Sequence, residues 1–113
     1  MPFTSSLFLS SLTVRNTELS NRGHLKVKVW GSFFKENGAK AFQEMNYFLA
    51  AFWYSQALEA APTDATLLSN RSACYARMQR GSEALRDATE CISLRPDWPK
   101  AYYRAGAALN ILK

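Results

Sequence analysis

Two cations four residues apart, Lys100 and Arg104, fall on one face of any helix that contains them. Earlier in the chain Asn70, Ala73 and Arg77 stand at i, i+3 and i+7, so a helix would align them too, rotated away from the apolar positions of the same segment. Paired cations with an amide donor can hold a carboxylate, because an ionised carboxylate accepts several charge-assisted hydrogen bonds at once. No comparable set suggests catalysis: Ser72 has no histidine near it, the acids are scattered singly, and no glycine-rich phosphate loop occurs. We therefore expect no enzyme activity and assign no catalytic residue. The single histidine, His24, and the two cysteines, Cys74 and Cys91, do not form a metal-ligand spacing, so neither metal nor cofactor is expected. The cysteines read as buried free thiols of a reducing compartment.

The elements that must bring these groups together are set by a repeat of 34 residues. Gly38, Ser72 and Gly106 hold one small-residue position in three successive units, Ala50 and Ala84 a second, and Pro62 and Pro96 a third. A period of this length with small residues at fixed offsets indicates an all-α solenoid of antiparallel helical hairpins, about five helices here, in which each unit packs on its neighbours. Residues 31–113 then form the repeat domain, two full repeats and the first helix of a third. Residues 1–30 lie outside it and are expected to be a poorly ordered extension.

Within the first hairpin, Phe34, Gly38, Ala41, Phe42 and Met45 make one apolar stripe, and Ala50, Trp53, Tyr54, Ala57 and Leu58 make the next. The second hairpin repeats the plan with Leu67, Arg71, Cys74, Tyr75 and Met78, followed by Ala84, Leu85, Ala88, Cys91 and Ile92. Asn46 and Tyr47 mark a turn, and Asp64 is placed to cap a helix. Gly81 and Ser82 read as a helix stop followed by an N-cap. Asp97 is the candidate cap of a fifth helix that starts near Trp98, with Pro99 in its first turn and Tyr102, Ala105, Gly106 and Leu109 facing inward. The alternation from Leu25 to Trp30 reads as a short strand. Phe48 and Phe52 lie off the main stripe, to cover the Val27–Val29–Trp30 segment or to form an exposed patch.

The chain carries 14 Lys and Arg against 9 Asp and Glu, a net charge of +5, which favours an acidic partner. It has no Lys/Arg run, no Gly-aromatic RNA-binding signature and no zinc spacing, so nucleic acid is not expected. Hydroxyl residues break the apolar stretch at residues 1–14, which argues against a membrane span. Cytoplasmic residence is the default. The shortage of acids beside Arg15 and Arg22 leaves an organelle transit peptide as the alternative.

These residues resemble the tetratricopeptide repeat family across positions 31–113. The run from Leu68 to Ala76 (LSNRSACYA) and that from Arg95 to Arg104 (RPDWPKAYYR) are similar to its carboxylate-clamp subgroup. They are also similar to the repeat segment that follows ankyrin repeats in some plant proteins, although no ankyrin motif occurs here. Members of the clamp subgroup are co-chaperones that hold the free C-terminus, ending Glu-Glu-Val-Asp, of the seventy- and ninety-kilodalton heat-shock chaperones. The resemblance implies Lys35, Asn70, Lys100 and Arg104 as clamp residues, with Ala73 and Arg77 lining the same groove. It departs at one position, where Ala39 replaces the subgroup's second asparagine. The expected function is thus an adaptor that binds an acidic chaperone peptide. The alternatives are an assembly or self-association module of the same fold, or the targeting arm of a larger enzyme.

Overall fold

A computed structural model of the chain describes the backbone of residues 20–113 and the side chains from residue 29 onward. Among the described residues five helices follow one another: α1 Ser20–Gln43, α2 Tyr47–Ala60, α3 Ala65–Arg77, α4 Gly81–Leu94 and α5 Pro99–Leu112. Consecutive helices pack together, and α3 also touches α5 directly, which places α1, α3 and α5 as the first helices of successive units. The chain forms the all-α hairpin solenoid that its 34-residue period predicts.

Small residues allow the helices to cross closely. A Cβ at Gly38 would lie 2.8 Å from the Tyr54 ring, so only glycine fits where α1 meets α2. One period later the Ser72 hydroxyl donates to the Ala84 carbonyl at 2.8 Å, and Ala50 and Ala84 are fully buried. Arg71 binds the two repeats together: its guanidinium donates twice to Asp87, both at 2.8 Å, and once to Ser55 at 2.9 Å. Three helices meet in that network. The hydrogen bonds to Asp87 raise the Arg71 pKa further.

The turns hold two corrections. Both α1 and α3 stop at a left-handed residue that is not glycine, Met45 at φ 61° and Gln79 at φ 60°. In each the next N–H reaches back five residues, Asn46 to Ala41 at 2.9 Å and Arg80 to Tyr75 at 2.8 Å, which satisfies carbonyls at the helix end. Gly81 is therefore not the stop; it is the first residue of α4, where the N-cap is Arg80, and a Cβ there would meet Leu112 at 2.8 Å. Met45 consequently leaves the core and is 72% exposed. Asn46 does cap α2 by accepting from the Leu49 N–H, and Asp64 caps α3 by accepting from Thr66 and Leu67.

Other expectations fail for stated reasons. The strand read at Leu25–Trp30 is helical, part of the 24 residues of α1, since no second strand exists among the described residues to satisfy its backbone. The N-cap of α5 is Trp98 rather than Asp97, with Pro99 at the first helical position. On α5 the buried residues are Ala101 and Ala108, whereas Tyr102 and Leu109 are exposed and Gly106 has nothing within 4 Å of a built Cβ. The helix packs on α3 and α4, and the exposed Tyr102 donates its hydroxyl to the Pro96 carbonyl at 2.7 Å. Phe48 is 72% exposed and, with Phe52, borders a shallow groove shared with Tyr75 and Met78 instead of covering Trp30. Of the poorly ordered extension expected at residues 1–30, residues 20–30 instead belong to α1, and residues 1–19 lie outside the described residues.

Candidate peptide-binding site

The first helices of the units carry all six residues singled out from the sequence. Asn70, Ala73 and Arg77 follow one another along α3, with Ala73 buried, Asn70 half-buried and Arg77 exposed. Arg104 on α5 is half-buried, and its Nε donates to the Ser69 hydroxyl at 3.1 Å. Ser69 is itself fully buried, so this bond pins the guanidinium beside the Asn70 backbone. Burial pushes the Arg104 pKa below the usual guanidinium range, and the charge of Arg77 pushes it the same way. The two guanidinium groups thus repel one another across the α3–α5 junction.

Arg77 is also held from the other side. Its Nη1 donates to the Tyr47 hydroxyl at 2.7 Å, and its guanidinium carbon lies 5.3 Å from the Tyr47 ring and 5.5 Å from that of Phe42. These rings make a T-shaped contact at 5.1 Å, joining the end of α1 to the start of α2. Lys100 is exposed one turn before Arg104, with its ammonium 5.9 Å from the Trp98 ring. Lys35 and Ala39 are exposed on α1, and among the described residues no hydrogen bond or ion pair joins Lys35 to the other five.

Charge distinguishes this surface. The ion pairs among the described residues are Arg71–Asp87 and Arg80–Glu83, so Lys35, Arg77, Lys100 and Arg104 are not neutralised by a carboxylate. An anion bound there would relieve the Arg77–Arg104 repulsion. Sequence reasoning missed Ser69 and Tyr47. Ser69 directly precedes Asn70 and had the polar type needed, but its partner lies 35 residues away on another helix. Tyr47 had been read as a turn residue, and nothing in local spacing links it to Arg77, 30 positions later.

Helical hairpins stacked in a 34-residue register, with cations along the first helices, define a helical-repeat protein. No protein-family profile matches the chain. It is, however, 46% identical over 79 residues to a Plasmodium falciparum Hsp70-Hsp90 organising protein, an alignment covering 70% of this chain and 31% of that one. The solved second tetratricopeptide domain of human RPAP3, in complex with the HSP70 peptide SGPTIEEVD, superposes with a TM-score of 0.71 at 30% identity, covering 76% of this chain and 72% of that one. The first such domain of Spaghetti (RPAP3), bound to the HSP90 peptide SRMEEVD, gives a TM-score of 0.70 at 31% identity, covering 74% and 66%. The chain belongs to the tetratricopeptide repeat family. It spans 31% or less of the curated organising-protein relatives named here and in yeast, where the heat shock protein STI1 is matched over 13% of its length.

Proposed function

We propose that this domain is a carboxylate-clamp adaptor that binds the acidic C-terminal peptide of seventy- or ninety-kilodalton heat-shock chaperones. The observation that carries the reading is the set of cations Lys35, Arg77, Lys100 and Arg104 on the first helices of successive units, none of them in an ion pair among the described residues. In this reading Arg104 and Lys100 hold a carboxylate of the peptide, Asn70 adds an amide donor, Ala73 leaves room for the peptide backbone, and Lys35 closes the far side. Relatives solved with peptides ending EEVD support the choice of ligand. Such an adaptor is not an enzyme. The two buried free thiols suit a cytoplasmic setting. Among the described residues no helix is long and apolar enough to cross a membrane.

Titration calorimetry with SRMEEVD tests the reading. Binding of the free-acid peptide, weakened when its C-terminus is amidated and lost in Arg104→Ala, is the expected result. Equal binding by Arg104→Ala would sink the clamp. A second reading, assembly through α5, rests on the exposed Tyr102 and Leu109 and the open space at Gly106. Sedimentation velocity would reveal it as a mass that rises with concentration and falls in Leu109→Glu.

A further inference from the structure

Tyr47 enters the groove through chemistry that a turn residue does not need. A guanidinium has five N–H donors and no acceptor, so the phenol oxygen can only accept from Arg77, as it does at 2.7 Å. The phenol proton therefore remains available, and among the described residues it has no acceptor. Accepting from a cation polarises the O–H bond and makes it a better donor. The ring that carries it is fixed by Phe42 at 5.1 Å and by its place as the first residue of α2, immediately after the Asn46 cap.

Arg77 meanwhile has N–H groups to spare. It is exposed, it pairs with no acid, and its charge bears on Arg104. A neutral hydroxyl donor next to an unpaired guanidinium, both held by aromatic rings, forms a two-donor cradle for one carboxylate. It opens at the α1–α2 turn, one helical turn along α3 from Ala73.

We infer that Tyr47 is a ligand-binding residue, donating its hydroxyl proton, together with Arg77, to a carboxylate of the acidic peptide at this end of the groove. The inference rests on the adaptor reading above and adds a second carboxylate position to it. Nothing in the arrangement is covalent; binding forms the O–H···O⁻ bond while the Arg77–Tyr47 bond persists.

The test is titration calorimetry of the full chain, wild type against Tyr47→Phe, with five probes: SRMEEVD as free acid, its C-terminal amide, two forms in which one or the other glutamate is replaced by glutamine, and one in which the aspartate is replaced by asparagine. Tyr47→Phe keeps the ring, its contact with Phe42 and the helix start, so its melting midpoint should match wild type. The expected result is an affinity for the free-acid peptide about three- to ten-fold lower in Tyr47→Phe, a deficit that vanishes for the probe lacking the carboxylate that Tyr47 binds. Vanishing with a glutamine or asparagine form identifies a side chain; vanishing with the amide identifies the terminus. Arg77→Gln should lose its effect on the same probe.

An unchanged affinity in Tyr47→Phe, or an equal deficit with all five probes, overturns the inference while leaving the clamp intact. If wild type binds no probe, or Arg104→Ala binds like wild type, the adaptor reading fails and takes this inference with it. A fall in melting midpoint with no probe dependence would make Tyr47 purely structural.

Discussion

Arg71 and Arg104 are both half-buried arginines on the first helices of their units, and they end in opposite states. Arg71 finds both Asp87 oxygens and the Ser55 hydroxyl, so its charge is fully used inside the fold. Arg104 finds one neutral hydroxyl, Ser69, and a like charge, Arg77. A buried charge that is paired serves folding, because removing its partner strands the other ion. Arg104 lacks such an acid, its contacts being the Ser69 hydroxyl and the Tyr103 ring, and in the proposed reading a counter-ion from the peptide would offset the cost of burying it. The contrast distinguishes a cation built into the scaffold from one that the proposed reading assigns to the ligand.

The largest expected break in that contrast comes from Arg71→Ala. It would leave Asp87, 3% exposed, without its cation, and should cost about 3 kcal/mol or more, read as a lower midpoint in urea unfolding. Arg104→Ala should do the reverse: stability within about 1 kcal/mol of wild type, with peptide affinity lower by about ten- to a hundred-fold in calorimetry. If Arg104→Ala unfolds the protein as Arg71→Ala does, the two arginines are not different in kind. Ala39→Asn adds an amide donor to the exposed face of α1 and should tighten peptide binding by about ten-fold. No gain would mean that α1 stands too far from the ligand.

A further effect sharpens the comparison through Cys74, whose thiol feels both arginines. Burial pushes it up to about 12, against which the positive charges of Arg104 and Arg71 act only partly. The folded thiol therefore keeps its proton where the unfolded one loses it, and folded protein binds more protons between about pH 9 and 12. Stability from this group is complete below pH 9 and declines above it, by at most about 1.4 kcal/mol per pH unit. Melting points taken from pH 7 to 10.5 should fall more steeply in wild type than in Cys74→Ala. The smallest effect belongs to the turns: Gln79→Gly relieves a left-handed backbone at φ 60° and should raise stability by about 0.5–1 kcal/mol.

The repeat was legible because its signals are local or strictly periodic. Gly38, Ser72, Ala50 and Ala84 each mark a close helix crossing, and Asn46 and Asp64 cap the helices they precede. What could not be read depends on contacts between distant residues. Gly81 looks like a stop signal, yet it is glycine because Leu112 lies over it, while the true stops at Met45 and Gln79 carry side chains that give no hint of a left-handed backbone. The inward face of α5 was misjudged because amphipathic spacing identifies an apolar stripe without saying which neighbour covers it. For the candidate site, helical spacing grouped Lys100 with Arg104 and Asn70 with Arg77. The partners that orient them, Ser69 and Tyr47, come from other helices and appear only once the hairpins stack.

The Arg71 network has a consequence for how the molecule comes apart. In a linear array an unfolding front can halt at any boundary where the coupling between neighbours is weak. Arg71 crosses that boundary through its one bond to Ser55, while its two bonds to Asp87 stay within the second hairpin, so fraying of the first hairpin gives up the Ser55 bond and leaves the Asp87 pair in place. Calorimetric and van't Hoff enthalpies should accordingly lie closer together in the intact chain than in Ser55→Ala, which removes the bond across the boundary and leaves the Asp87 pair inside the second hairpin.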